Sequence, residues 1–482
     1  MHRMLIGMLM ASMLGGCASA AIPVAPATPD VANPVAVEPP SVAAVAATDG
    51  PSRRSGAWIG AAGASEYVLA GSSDTSLGVW VDVPAAASRA HAPAAIALVI
   101  DTSGSMAGPK MDNARVAARA LIDKLPDGDI VSIHTFADDA HERVRPTILT
   151  ASTRLEIHRV IAGLQPVGGT NLFDGLRLGE GRVQASPATH PVRRVIVISD
   201  GIANIGPSSP ELLGALAARG ADAGTQVTAL GVGLDYDERT LNALAVRSSG
   251  RLYHLAEPRE MASILDREIG LLRATVATNA VVEIVPAPGV VIHGADGIRA
   301  DRGANGALLV PLGTMYGGQH REMLVRVRVH AQGDGSRPLA SVRFRFRDPT
   351  DGNVERVQEV VARYQVTTDR LAIEAHAHAK TRAIAATFEA SRAALAAAQQ
   401  VNEGRFEAAD KDLAEAEAKL RASAARMKND VDRQRVMANA TRISTVRNAA
   451  KAAAGAPPAA APAAKRARAL DINAAAVKAA GF

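Results

Sequence analysis

The spacing of apolar residues divides the chain into regions of different periodicity. Between residues 91 and 272, short apolar runs alternate with amphipathic helical patterns. The predicted strands are Ile96–Ile100, Ile130–Phe136, Val192–Ser199, Gln226–Val232 and Arg251–His254. The predicted helices are Lys110–Lys124, Thr153–Ala162, Leu172–Gln184, Pro210–Arg219, Asp237–Val246 and Pro258–Leu271. Such alternation predicts a mostly parallel sheet with helices on both faces, a doubly wound, Rossmann-like α/β domain.

Residues 273–366 follow a different pattern, in which apolar and polar residues alternate. The alternation is strict in Leu324–Val329 and Val342–Phe346, so each segment has one buried and one solvated face. Gly, Pro and Asp residues stand between the strand-like segments and mark turns. This region therefore predicts an antiparallel β-sandwich.

Two further strand patterns lie in residues 55–90, before the α/β region. They are Tyr67–Ala70 and Leu77–Pro84, separated by the turn-rich segment Gly71–Asp74. Neither has another obvious place in the fold, so we expect both to join the sandwich. The α/β domain then either is inserted in the sandwich or precedes it.

The carboxyl-terminal part of the chain predicts helices. Residues 367–453 are rich in Ala, Arg, Glu and Lys and contain no proline, a composition that favours helix. Gly404 interrupts this region, which predicts at least one helical hairpin. Gly404–Ala409 resembles the turn of a tetratricopeptide unit, and a plain hairpin is the alternative. Residues 454–482 form a Pro/Ala-rich linker and a short basic tail.

Residues 1–16 have the pattern of a signal peptide: a short basic start and an apolar run, Met4–Leu14, too short to span a bilayer. Leu14–Cys17 resembles the bacterial lipobox. The resemblance implies cleavage before Cys17 and lipidation of its sulfur. Because Ala18 rather than Asp follows, it also implies sorting to the outer membrane of a Gram-negative bacterium. An ordinary secretory signal with an incidental cysteine is the alternative.

Composition adds limits to this picture. Residues 17–54 are rich in Pro, Ala and Val and predict an extended tether. The net charge is +5 and no dense basic block with interleaved aromatics occurs, so nucleic-acid binding has no support. Cys17 is the only cysteine, which excludes an internal disulfide and a cysteine-based zinc site.

Oxygen-bearing side chains stand at three places in the predicted α/β domain. Asp101, Ser103 and Ser105 follow the first buried strand, Thr170 precedes a helix in a glycine-rich loop, and Asp200 follows another buried strand. Loops at the carboxyl ends of parallel strands line one crevice, so we expect these groups to converge. Carboxylates and hydroxyls suit a hard cation, Mg²⁺ or Mn²⁺. Thiolates and imidazoles are absent from the set, which argues against zinc.

These positions match, without substitution, the metal-ion-dependent adhesion site of the von Willebrand factor A (VWA) family: Asp-x-Ser-x-Ser, a distant Thr and a more distant Asp. The resemblance covers roughly Ala94–Leu271. It implies that the serine and threonine hydroxyls coordinate the metal directly, and that the aspartates act directly or through water. It also implies that a Glu or Asp side chain of a partner protein completes the metal shell.

The leading hypothesis is a non-enzymatic, metal-dependent protein-binding module, for adhesion or assembly, held at the bacterial envelope by a lipid. A structural envelope scaffold, in which the metal only stabilises the fold, is the alternative. A hydrolase ranks last, because no general base or nucleophile accompanies the site. A cytoplasmic partner of an ATPase, as in metal chelatases, is excluded if the lipobox functions.

Overall fold

The computed structural model describes residues 58–85, 91–233, 236–255, 258–296 and 299–454. The predicted signal peptide, Cys17 and the predicted tether to residue 54 lie outside the described residues, as do residues 455–482 of the predicted linker and tail. The described part forms three β-sheets and a carboxyl-terminal group of helices. None of the helices within it is both long enough and apolar enough to cross a membrane.

Three strands precede the α/β region: β1 (Ile59–Gly63), β2 (Tyr67–Leu69) and β3 (Gly71–Asp82). The sequence patterns missed β1. The predicted turn at Gly71–Asp74 is wrong, because these residues form the first part of β3. A long partner strand holds them extended, and Asp74 accepts a hydrogen bond from Arg328 Nε at 2.7 Å. Turn-forming composition is here overridden by strand pairing.

The α/β region contains six strands and six helices. The strands are β4 (Ala94–Asp101), β5 (Ile130–Phe136), β6 (Ala140–Ile148), β7 (Val192–Ser199), β8 (Thr225–Val232) and β9 (Arg251–Leu255). The helices are α1 (Pro109–Lys124), α2 (Ala151–Ala162), α3 (Leu172–Gln184), α4 (Pro210–Asp222), α5 (Glu238–Arg247) and α6 (Pro258–Arg273). The strand order is β6-β5-β4-β7-β8-β9, and every neighbouring pair is parallel except β5 and β6.

Helices cover both faces of this sheet. Residues of α1, α2 and α6 pack on one face and residues of α3, α4 and α5 on the other. The interior strands β4 and β8 are therefore buried along their whole length. Continuous apolar runs are typical of parallel strands buried on both faces. The doubly wound α/β domain predicted from the sequence is confirmed.

Strand β6 is the element of this sheet that the sequence patterns missed. It lies at the edge, pairs antiparallel with β5, and is largely exposed to solvent. Its sequence, Ala-His-Glu-Arg-Val-Arg-Pro-Thr-Ile, carries few apolar residues. An edge strand exposed on both faces leaves no hydrophobic periodicity, so its pattern could not be distinguished from that of a loop.

Seven strands follow the α/β region. They are β10 (Thr275–Pro286), β11 (Val290–Asp296), β12 (Asp301–Arg302), β13 (Leu308–Tyr316), β14 (His320–Ala331), β15 (Ser336–Asp348) and β16 (Val354–Thr367). Together with the first three strands they build a four-stranded sheet, β1-β3-β14-β11, and a six-stranded sheet, β12-β13-β10-β15-β16-β2. Alternate side chains of both sheets, such as Val79, Val325 and Phe344, form one buried cluster.

The strands that precede the α/β region thus pair with strands that follow it. Strand β3 pairs with β14 from Asp82 opposite His320 to Gly71 opposite Ala331. The chain enters this double sheet, leaves it to form the α/β domain, and returns. The sandwich is not wholly antiparallel as predicted, because the short β2 pairs parallel with β16.

The carboxyl-terminal helices are α7 (Arg370–Ala375), α8 (Ala379–Asn402), α9 (Phe406–Ala425) and α10 (Asp430–Ala454). Gly404 has a φ of 80°, in the left-handed region, and follows the end of α8. The last three helices share an alanine-rich core that includes Leu413, Leu420 and Ile443. Helix α8 also packs on the four-stranded sheet, where Gly78 leaves room for Thr381. The region therefore contains two successive hairpins.

Candidate metal centre

Asp101 ends strand β4 and is completely buried. Its Oδ1 accepts a hydrogen bond from the Ser103 backbone N–H at 2.8 Å, and its Oδ2 accepts one from Ser199 Oγ at 2.6 Å. Burial raises the pKa of Asp101 to about 6, and the charge of Asp200 acts in the same direction, against the hydrogen bonds from the serines. The carboxylate is therefore firmly oriented but short of positive charge.

Ser103 and Ser105 flank the start of a short 3₁₀ turn, Gly104–Met106. Their hydroxyl oxygens lie 3.0 Å apart. Ser103 is buried and Ser105 is exposed. The two hydroxyls thus extend from the interior beside Asp101 to the surface of the domain.

Thr170 lies in the loop that leads into α3, and backbone hydrogen bonds hold this loop against the Asp101 loop. Gly104 N–H donates to the Gly168 carbonyl at 3.0 Å, and Val167 N–H donates to the Thr102 carbonyl at 2.7 Å. Gly168 has a φ of 64°, a left-handed conformation that favours glycine. Thr170 is buried, and its N–H donates to Asn204 Oδ1 at 2.8 Å.

Asp200 directly follows β7 and is also completely buried. Its Oδ2 accepts a charged hydrogen bond from Lys110 Nζ at 2.9 Å, while its Oδ1 is buried without a hydrogen-bond partner among the residues that the structure describes. A buried carboxylate oxygen without a partner is costly unless a ligand or ion completes it. The Oδ1 atom of Asp200 is therefore chemically suited to contact a ligand or an ion.

The predicted site residues are all placed at the carboxyl edge of the parallel sheet. The set offers two buried carboxylates and three hydroxyls, which are the donors that Mg²⁺ or Mn²⁺ prefers. In the described ranges, no group of three or more His, Cys, Asp or Glu side chains could hold a metal ion. The donor chemistry and the unpartnered Asp200 oxygen both fit a hard divalent cation.

Several residues that contact this site lie outside the predicted donor set. Lys110 and Ser199 contact the two aspartates, and Asn204 and Asp138 fix the Thr170 loop. Ser199 had a recognisable signal, because it is a polar residue at the end of an aliphatic buried strand. The contact of Lys110 had none, since 90 residues separate it from Asp200.

Comparison with known families identifies the domain that carries this site. Residues 96–202 match the sequence model of the von Willebrand factor type A domain. The α/β region is a VWA domain. The matched residues include the predicted ligands on β4, on the Thr170 loop and after β7.

Curated relatives extend the similarity to different lengths. An uncharacterized protein of Synechocystis sp. is 26% identical over 298 residues, which are 58% of this chain and 69% of that protein. Human inter-alpha-trypsin inhibitor heavy chain H4 is 26% identical over 177 residues, 35% of this chain. The chain spans only 19% of the length of that human protein.

Solved structures share the architecture beyond the VWA domain. A von Willebrand factor type A protein from Catenulispora acidiphila has a TM-score of 0.66 at 16% identity, covering 87% of this chain and 96% of that chain. The ArnB paralog VWA2 from Sulfolobus acidocaldarius has a TM-score of 0.55 at 17% identity, covering 79% of this chain and 92% of that chain. Similarity at this identity establishes the common fold.

Proposed function

We propose that this chain is a metal-dependent protein-binding module of the bacterial envelope. The observation that carries the proposal is the pair of buried aspartates, Asp101 and Asp200, at one edge of the VWA sheet, with an Asp200 oxygen that lacks a partner. Asp101 and Asp200 together with three hydroxyls are a suitable donor set for Mg²⁺ or Mn²⁺. The site lies at the end of the domain, where a partner can reach it.

In this proposal the hydroxyls of Ser103, Ser105 and Thr170 would hold the ion, and the aspartates would act directly or through water. When bound, the ion supplies a positive centre with an open position for a carboxylate oxygen. Neutral hydroxyl donors leave much of the ionic charge uncompensated. The site would therefore select a partner that offers a Glu or Asp side chain.

Exposed apolar side chains beside the site support a protein partner rather than a small acid. Val167, three residues before Thr170, is 58% exposed, and Ile202, two residues after Asp200, is 45% exposed. The Val167 backbone is tied to the Thr102 carbonyl, so its side chain is presented from a fixed loop. Apolar side chains that are held in place can contribute to the buried core of a protein interface, which a polar rim surrounds.

We do not propose catalysis. Both oxygens of Asp101 already accept hydrogen bonds, and one oxygen of Asp200 is bound to Lys110. The remaining oxygen, Asp200 Oδ1, belongs to a completely buried carboxylate, whereas a general base must come within hydrogen-bond reach of a substrate proton. These contacts favour a role in holding a cation and orienting a ligand.

Anchoring at the envelope is proposed from the lipobox-like Leu14–Cys17. We expect a Cys17→Ser variant to leave the membrane fraction or to remain as an unprocessed precursor. Membrane fractionation and palmitate labelling of wild type and variant test this. A wild-type protein that is soluble and unlabelled would rule out lipid anchoring, without affecting the metal-site proposal.

Capture of a partner from envelope extract, with and without chelator, tests the binding function. We expect capture by the wild type to be lost in chelator and restored by Mg²⁺ or Mn²⁺, and to be absent for Asp101→Asn. Capture that persists in chelator and in the variant would favour the alternative, an envelope scaffold in which the metal only stabilises the fold.

A further inference from the structure

We propose that Lys110 is a built-in competitor of the metal ion: its ammonium group holds Asp200 when the site contains no divalent cation, and the ion must displace it. Lys110 thereby sets the metal affinity of the site. The inference rests on the proposed metal-binding function, and it adds a residue that the predicted donor set does not contain.

Geometry is the first support. Lys110 is the second residue of α1, and its Nζ reaches Asp200 Oδ2 at 2.9 Å. Asp200 is completely buried, and the Lys110 side chain is 28% exposed. The lysine stem passes Gly233, where a Cβ would lie 3.0 Å from Lys110 Cε, so glycine at this position helps leave a path for it. The fold thus directs this side chain into the site.

Charge is the second support. Among the described residues, the side chain of Asp101 accepts hydrogen bonds from neutral groups, whereas Asp200 is in contact with the Lys110 ammonium. Lysine carries a positive charge at neutral pH. A divalent cation that approaches Asp200 is repelled by this ammonium and competes with it for the same carboxylate. Partial exposure gives the lysine a route to solvent when the ion enters.

The competition has two consequences that are measured separately. Without metal, removal of the ammonium leaves Asp200 buried and uncompensated, so the metal-free protein becomes less stable. With metal, no ammonium has to be displaced, so the ion binds more tightly. A lysine that served only as a surface charge would produce neither effect, and one that helped to hold the ion would produce weaker binding.

The experiment uses the full chain and its Lys110→Met variant, with Mg²⁺ and Mn²⁺ titrated by calorimetry and thermal melts recorded in chelator and in saturating metal. We expect Lys110→Met to bind each ion at least about fivefold more tightly than the wild type. We also expect its melting temperature to fall in chelator and its rise on metal addition to exceed that of the wild type.

Lys110→Arg retains the charge and is expected to keep metal affinity near or below that of the wild type. Lys124→Met is the matched control on the same helix, because Lys124 pairs with Asp266 rather than with the site, and it should leave metal affinity unchanged. If Lys110→Met does not fold, Lys110→Gln replaces it.

Equal or weaker metal binding by Lys110→Met overturns the inference while leaving the metal site standing. Metal binding by the variant but not by the wild type supports it strongly. Absence of metal binding in both proteins overturns the inference and the proposed function together, so the two failures are distinguishable.

Discussion

The two ends of the VWA sheet both bury charged groups, but they satisfy them differently. At the amino end, Arg194 on β7 donates to the Tyr316 hydroxyl at 2.6 Å and lies 3.5 Å from Glu268 of α6. Glu268 also accepts hydrogen bonds from Thr228 at 2.7 Å and Tyr253 at 3.2 Å. At the carboxyl end, Asp200 is paired with Lys110, which is partly exposed, and the described hydrogen bonds to Asp101 come from neutral groups.

We propose that this difference separates a structural role at the amino end from a binding role at the carboxyl end. Arg194 is paired with Glu268, and through Tyr316 of β13, whose ring also lies beneath Arg251, it joins the VWA domain to the sandwich. The aspartate pair has an excess of negative charge and an oxygen without a partner. A buried charge that is satisfied within the fold can help to specify that fold, whereas in the proposed function the incomplete aspartate pair would hold an external ion.

We expect the largest loss of stability from a substitution at the amino end of the VWA sheet. Glu268→Ala leaves Arg194 buried without its counter-charge, and we expect a loss of about 3–5 kcal/mol in the free energy of unfolding. Urea unfolding measures it, with Glu156→Ala on the exposed side of α2 as the matched control. A loss no greater than that of the control would show that the Arg194 cluster is not the structural end of the sheet.

At the carboxyl end, we expect substitutions to change metal affinity more than the stability of the metal-free protein. Asp101→Ala should lower Mg²⁺ and Mn²⁺ affinity by more than about 100-fold, because one of the two carboxylates is lost. Ser103→Ala should lower it less, since a neutral donor is removed. The metal-free fold should persist, because buried strands such as β4 and β7 support it and one of two like charges is gone.

Calorimetry and thermal melts in chelator check this expectation. Asp101→Asn, which retains the shape of the side chain, is the second variant. Wild-type metal affinity in both variants would refute the assigned site. Loss of metal with unchanged capture of the partner would make the metal structural.

Glu180 on α3 is a further buried ionisable group, and it lies outside both charge clusters described above. Burial raises its pKa to about 8 from an ordinary 4.5, against the opposing charge of Arg219. In the unfolded chain this carboxyl ionises at lower pH than in the folded protein. Stability from Glu180 is therefore full below the unfolded pKa and declines as pH rises from 4.5 towards about 8.

Glu180→Gln should remove this decline. We expect the variant to melt at about the same temperature as the wild type near pH 4.5 and several degrees higher near pH 9, a gain of about 1–3 kcal/mol. Thermal melts of the wild type and the variant between these two pH values test this expectation. An identical pH dependence in both proteins would show that Glu180 does not keep its proton in the fold.

The smallest effect concerns the apolar surface beside the site. Val167→Ser should weaken partner binding by about fivefold through lost apolar contact, with metal affinity unchanged. Val116→Ser is the control, because Val116 is similarly exposed, at 56%, on α1. Equal partner affinity for both variants would show that Val167 does not contribute to partner binding.

Local patterns in the sequence predicted most of the architecture and the whole candidate donor set. Ile96–Ile100 and Val195–Ile198 are short apolar runs typical of buried strands, and Asp101 and Asp200 directly follow the strands that contain them. Parallel strands bring their carboxyl ends to one edge, so chain position alone brought the two acids together. Strand β6 and residues Gly71–Asp74 were misjudged, because their structure depends on a partner strand and not on their own periodicity.

The sequence by itself therefore determined the local features: the periodicity of the strands and helices, and the positions of the predicted site residues at the ends of strands. Only the tertiary structure decided which charges are paired. Lys110 meets Asp200 across 90 residues, and Arg194 meets Tyr316 across 122. Such contacts depend on how elements pack, and no local pattern encodes a distance between side chains so far apart in the chain.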